Sequence, residues 1–401
     1  MAWRGAEAAP MRLAALATIA IAAMLFLPTA ILAKGVQRTT KRSSATNVID
    51  GCWRWDSKWR HHRQQLARCA VGYAGEMTGN IGRNVTRYKV TDDSDDGLDP
   101  KPGTLRYGAT RIEGKVWITF HKDMRIKLEK PLLVSSFTTI DGRGADVHIA
   151  DGACLVVLGV TNVIIHGLRI HNCETHFMSE EVMGPAGNVV RIDYPDGDAI
   201  SVIHSTKVWI DHNTLYECAD GLIDITHGST DITVSNNWFR NHDMVMLLGH
   251  DDEYVEDRNM KVTVAFNYFG PDCDQRMPRV RHGFAHVANN IYQGWGLYAI
   301  GGSMNPSIKS EGNIFIAPST DLKAVTRKMY GNGPRGWNYA STKDLFENGA
   351  TFTEKGDVVH DNLDLHYNRQ QAFKVEEATH VRALTQSAGV LRCRKRSRSV
   401  C

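Results

Sequence analysis

Five short segments of this 401-residue chain close in the same way, and that recurrence limits the fold more than any other feature of the sequence. They are "TKVWIDHNTLYEC", "TDITVSNNWFRNHD", "MKVTVAFNYFGPD", "FAHVANNIYQGW" and "PSIKSEGNIFIAP". Each is an alternating run that reaches an asparagine and then one or two bulky apolar residues. The asparagines are Asn213, Asn237, Asn267, Asn290 and Asn313, at spacings of 24, 30, 23 and 23. "TNVIIHGLRIHNC" reads as an earlier copy with Gly167 in the asparagine's place. A period in the twenties built from strand-like segments is the mark of a solenoid, here an all-β parallel β-helix in which each rung stacks on the next. One rung cannot bury its inward side chains alone. Stacked rungs share ladder hydrogen bonds and one core, and equivalent asparagines bond along the stack. A β-sandwich also turns at such intervals, but nothing in it requires one residue type at one phase.

The repeat predicts a solenoid domain over 110–320. In the preceding segment, 34–109, "WRWDSKWRHHRQQLARCAV" has helical spacing and is expected to cap the open end, since a bare terminal rung exposes apolar surface and ladder groups. After Pro318 the periodicity fades, so 321–401 is expected to form a C-terminal arm along the outside, ending in a basic tail.

At the other terminus, Arg4 and Arg12 precede an apolar run from Leu13 to Ala33, followed at once by polar, basic sequence. This is the pattern of a secretory signal over 1–33. An uncleaved anchor is the alternative, and Pro28 with the small residues near Ala30 and Ala33 favours cleavage. Once cleaved, the chain has no membrane partner. Eight cysteines suit an oxidising compartment, with Cys52–Cys69 and Cys154–Cys173 the expected disulfides. Asn84 opens an "NVT" glycosylation sequon. The formal charge is +3, but the presumed signal carries +1 and the five cations of "RCRKRSRSVC" carry +5, which leaves the body at −3. No broad basic face remains for nucleic acid, and a polyanion must be held by local cationic clusters in the body, or loosely by the tail. Nothing signals oligomerisation, so a monomer is expected.

"CADGLIDITHGS" puts Asp220 and Asp224 into an otherwise apolar strand. Carboxylates are rarely buried without a partner. One rung earlier, "YPDGDAISV" supplies Asp196 and Asp198, which share a side if extended. Asp220 and Asp224 would stand about 13 Å apart on a straight strand, too far for one ion. Gly221 is expected to take a turn conformation that folds them together. Acids this close raise one another's pKa unless a hard cation sits among them, and an all-oxygen set of flexible acids favours Ca²⁺ over Zn²⁺. The other acidic run, "TDDSDDGLD" from Thr91, lacks the glutamate of a calcium loop at its twelfth position, where Gly103 stands, and reads as a polar turn.

"QRMPRVRHG" gathers Arg276, Arg279 and Arg281. Cations beside a cation site imply a third, negative party, and a polyuronate fits. Over nearly all of 48–390 the chain resembles the plant pectate lyases and their pollen relatives. The motifs that carry the resemblance include "TIDGRGADVHI", "DGDAISV", "WIDHNTL", "CADGLID", "VMLLGHDD", "QRMPRVRHG" and "YAIGGSMNPSI". The resemblance implies a right-handed parallel β-helix, Ca²⁺ as cofactor and β-elimination on α-1,4-linked polygalacturonate. It places the calcium acids at Asp196, Asp220 and Asp224 with Asp198 as a fourth, the catalytic arginine at Arg276 and a substrate-binding arginine at Arg281. Removing the C5 proton beside a uronate carboxylate builds negative charge there, which Ca²⁺ and arginine stabilise more in the transition state than in the ground state. To act as the base, Arg276 must lose a proton to cationic surroundings or alkaline pH.

The chain departs from the pattern at Met244, where relatives carry Lys or Glu and bacterial members use a lysine on a substrate carboxylate. A silent polygalacturonate-binding wall protein on the same scaffold is therefore the alternative reading. A glycoside hydrolase is the more distant one, since it needs only an acid and a base about a water.

Overall fold

The structure is a computed structural model that describes residues 46–175, 179–193, 196–329, 338–354, 363–393 and 401. The apolar run of the expected signal and most of the basic tail lie outside the described residues. Three parallel sheets wind about one core: a ten-stranded sheet from Val85–Val90 to Asn338–Thr342, an eight-stranded sheet from Leu132–Leu133 to Thr326–Lys328, and a nine-stranded sheet from Met124–Ile126 to Leu345–Glu347. This is a parallel β-helix. Its ladders run beyond 110–320 at both ends, because Val85–Val90 pairs in register with Lys115–Phe120 and Ser307–Glu311 with Asn338–Thr342.

The predicted asparagine column is present. Nδ2 of Asn213, Asn237, Asn267 and Asn290 each donates to Oδ1 of the next asparagine at 2.9–3.2 Å. Each Oδ1 so reached also accepts the preceding asparagine's backbone N–H at 2.8–2.9 Å. The column ends on Asp344, whose Oδ1 accepts from Asn313 Nδ2 at 3.0 Å, a residue the repeat did not flag. At the other end Leu168, not Gly167, occupies the asparagine's rung: Asp211 pairs with His166, and Leu168 N–H donates to Asn213 Oδ1. Beside this polar column the bulky apolar residues stack inward, Phe239 on Phe269 at 4.9 Å, Phe269 on Tyr292 at 4.7 Å and Tyr292 on Phe315 at 4.5 Å. Identical rungs place like side chains in register, so burial and ring stacking reinforce each other.

The N-terminal segment does supply a helical cap, but through different residues. Helix α1 (Val48–Trp53) and a 3-10 helix at Arg63–Arg68 lie on the outer face of the ten-stranded sheet, where Trp53, Trp59 and Leu66 pack with Trp117, Ile164, Trp209 and Phe266. The open end is closed by α2 (Leu105–Thr110), N-capped by the Thr104 side chain, whose Leu105 and Ala109 join the central core beside Val90, Val116 and Leu132. Buried Arg106 fixes α2 through a two-point bond to Asp95, at 2.8 and 2.7 Å. Asp92 and Asp96 accept from backbone N–H groups two and three residues on, so the acidic run is the polar turn its sequence suggested.

The α1 face is sealed by buried charge. His212 lies between Asp211 (2.7 Å) and Asp50 (3.2 Å), and those carboxylates outweigh the burial that opposes its charge, so its pKa is pushed up to about 9. Helix α3 (Val381–Leu384) packs Val381 against Ile291 and Ile314 on the outside of the nine-stranded sheet, as the expected arm does. Both expected disulfides are formed, with Cα–Cα separations of 5.6 and 5.7 Å, and Cys393 pairs with Cys401. Asn84 is exposed, as a glycan acceptor must be.

Candidate active site

Both clusters singled out above lie on the outer face of the eight-stranded sheet or at the corners beside it. Its register sets Ser201, Asp224, Leu247, Arg279, Gly301 and Arg327 in one outward column across six consecutive rungs. The column is acidic at one end and cationic at the other. A cleft of about 700 Å³ lies over its acidic end, from Ser201 to Leu247, lined by Asp196, Asp198, Asp220, Asp224, Arg276 and Arg281 among others. A larger cavity of about 1110 Å³ lies between the N-terminal segment and the first strands. Arg60 and Arg63 there each lie within 5 Å of the Trp59 ring centre, and among the described residues Asp56 is the one acid in the lining. Chemistry therefore selects the smaller cleft.

Asp196 and Asp198 lie just before strand Ile200–Ile203, and Asp220 lies just before strand Ile223–Thr226, which contains Asp224. Carboxylate oxygens of Asp196, Asp198 and Asp220 come within 4.8 Å of one another. Strand parity does not bring the first two together, since neither residue is in a strand. Gly197, at φ 98°, turns the chain between them, in a conformation that favours glycine. Gly221 also acts differently from expectation. Its φ is not positive; what it supplies is space, because a Cβ there would fall 2.5 Å from Asp224 Oδ1 and 2.7 Å from Asp198 Oδ1. Asp198 is further held by the Gly221 N–H at 2.8 Å and the Ser201 hydroxyl at 2.9 Å.

The electrostatics follow from that crowding. Burial first and Asp196 second push Asp198 up to about 7. Burial and then Asp220 raise Asp196. Asp224 rises well above the usual carboxylate range through burial and the other three acids, and Arg276 is the cation that opposes the rise. An all-oxygen, partly buried set with this much unneutralised charge suits a hard divalent cation.

Arg276 stands at the corner between strands Cys273–Gln275 and Arg279–Val280, at φ 61°. Left-handed residues recur at corners throughout this fold, Asn162, His204 and His227 among them, so that conformation belongs to the architecture. Arg281 Nη1 donates to the Gly249 carbonyl at 2.9 Å, and its Nε lies 3.5 Å from Asp252; burial and Arg279 lower its pKa. The Nε atoms of Arg276, Arg279 and Arg281 are buried without a hydrogen-bond partner among the described residues. Met244 sits opposite Gln275 in a short parallel pair, next to the Arg276 corner.

All six sequence-predicted site residues therefore line one cleft. Two features escaped the sequence reading. A row of imidazoles forms the far wall, His204 on His227 at 5.2 Å and His227 on His250 at 3.9 Å between ring centres. They follow successive strand ends at spacings of 23, the same period as the asparagines, which was the available signal. The other is Arg327, hidden because its rung lies past Pro318, where the sequence repeat fades.

Known proteins resemble this chain over most of its length. The sequence profile described as pectate lyase matches residues 67–359. Pectate lyase 1 of Juniperus virginiana is 50% identical over 350 residues, covering 86% of this chain and 94% of that protein. Probable pectate lyase 9 of Arabidopsis thaliana is 47% identical over 362 residues, covering 87% and 76%. The crystal structure of Jun a 1, the major allergen from cedar pollen, superposes with a TM-score of 0.81 at 50% identity, covering 86% and 99%. A Bacillus sp. N165 pectate lyase in complex with trigalacturonate shares the fold, at a TM-score of 0.57 and 21% identity, covering 80% and 98%.

Proposed function

The chain belongs to the pectate lyase family, and from that membership and the cleft we propose that it is a secreted, calcium-dependent lyase of plant-type cell walls that cleaves α-1,4-polygalacturonate by β-elimination. The observation that carries the reading is the convergence of four carboxylates and two arginines with orphaned Nε atoms on the same sheet face. Asp196, Asp198, Asp220 and Asp224 would hold Ca²⁺. When bound there, the ion would supply positive charge that stabilises the charge developing on a uronate carboxylate.

The protein's own groups do the rest. Arg281, braced by the Gly249 carbonyl, binds the uronate. Arg276, beside Arg279 and Arg281 in the sequence, takes the C5 proton. The electron pair left at C5 forms the C4–C5 double bond as the C4–O bond breaks, and the glycosidic oxygen leaves with a proton from solvent. No water is consumed, so the product is a 4,5-unsaturated oligogalacturonide.

A second reading, a pectate-binding wall protein of weak or no activity, is favoured by Met244, which puts no cation beside the Arg276 corner. One assay separates the two. Polygalacturonate is incubated with the secreted protein at alkaline pH, with Ca²⁺ or a chelator, and ultraviolet absorbance of the unsaturated product is followed. Growth only with Ca²⁺ is expected. Retention of polymer without absorbance would establish the binder, and reducing ends without absorbance would point to hydrolysis.

A further inference from the structure

The outward column continues past the cleft and its two arginines, and it stays cationic. Arg279 and Arg327 occupy the same outward column, on strands Arg279–Val280 and Thr326–Lys328, with Gly301 on the rung between them. At about 4.8 Å per rung they are about 10 Å apart along the stack. Gly301 leaves room for the Tyr298 ring, since a Cβ there would fall 2.3 Å from Tyr298 Cε2. Tyr298 is fully buried, and its hydroxyl has no hydrogen-bond partner among the described residues. The charges of Arg279, Arg276, Arg327 and Arg281 all act on that phenol. Among the described residues, Arg276, Arg279 and Arg327 have no ion-pair partner, and Arg327 is exposed to solvent. Arg279 and Arg327, like charges in one column with no ion-pair partner among the described residues, raise the energy of the free protein, and an anion laid along the column relieves it.

We propose that Arg279 and Arg327 form an accessory subsite that binds the carboxylate of a uronate further along the polymer than the one at Arg276. The inference rests on the uronate-binding reading above. The planar guanidinium fork suits a carboxylate, and a polymer with one charge per sugar offers a new carboxylate at each step along the cleft. Arg279 borders the central site, whereas Arg327 is two rungs beyond it, so only a chain long enough to leave that site meets Arg327. The subsite thus selects for polymer length and for free acid over methyl ester.

Calorimetry tests this with the full chain carrying Arg276→Lys to prevent turnover, in the presence of Ca²⁺. Trigalacturonate and octagalacturonate are titrated with and without a second change at Arg327. Arg327→Gln is expected to weaken octamer binding about fivefold, the worth of one partly exposed ion pair, while leaving the trimer unchanged. Arg327→Lys should restore part of the loss, and Arg327→Glu should deepen it. Equal losses on trimer and octamer, or none on either, would overturn the subsite. Failure of both oligomers to bind the Arg276→Lys parent would instead overturn the uronate-binding reading, and the subsite with it.

Discussion

Removing the divalent ion should turn the acid cluster into a pH-dependent weak point, and Asp198 gives the size of the effect. It is 7% exposed, and its pKa of about 7 compares with 3.8 for a free aspartate. Between those values the folded protein binds a proton that the unfolded chain has released. Stability therefore falls as pH rises through that window, by about 1.4 kcal/mol per unit and about 4 kcal/mol in all. Asp196 and Asp224 shift in the same direction. Asp198→Asn removes the charge while keeping an acceptor for the Gly221 N–H, so it should stabilise the metal-free protein at pH 8 and change little at pH 4. The assay is thermal unfolding in chelator at both values, where about 4 kcal/mol corresponds to roughly 5–10 °C for a chain of this size. Calcium at about a hundred times its dissociation constant should return about 2.7 kcal/mol to the wild type and much less to the variant. A chelated wild type that melts no lower at pH 8 than at pH 4, with Asp198→Asn no more stable, would refute this electrostatic account.

Other consequences follow from particular residues. Asn267→Ala strands the Asn237 N–H and the Val234 carbonyl, each buried, and should cost about 3–5 kcal/mol in denaturant unfolding; a loss under about 1 kcal/mol would show that the column is ornamental. His212 has a folded pKa raised to about 9, so its charge supports the fold fully below about 6.5 and the support is lost as pH rises through 9. Calcium-loaded protein should thus lose about 3 kcal/mol between pH 6.5 and 10, and Asp50→Asn should flatten that slope. Met244→Lys should lower KM for polygalacturonate several-fold; an unchanged KM would mean this corner does not meet substrate.

Most of the fold was legible because a solenoid repeats its physics. The asparagines reported the rungs, since the same buried amide is needed at the same phase each time. The ladder's ends were not legible. Val85–Val90 and Asn338–Thr342 pair as strands without the asparagine, and Asp344 closes the column at a spacing of 31 from Asn313. The cap was assigned to the wrong residues for a related reason: helical spacing reports an apolar face but not what it covers. The Trp53–Trp59 face covers a sheet's exterior, and short α2 covers the core. At the site, sequence named the acids and arginines. It could not foresee that Gly221 works by absence of a side chain, because close approach between rungs is a tertiary fact.

The central claim is a division of labour, with carboxylates of neighbouring rungs holding the metal and Arg276 removing the proton. Arg276→Lys tests it most directly, by measuring turnover on polygalacturonate alongside calorimetric Ca²⁺ affinity on the same preparation. Turnover should fall by at least about a hundredfold, the lower end of what a positioned base contributes, while Ca²⁺ affinity stays within about threefold. Undiminished turnover, or loss of Ca²⁺ binding together with it, would contradict the assignment.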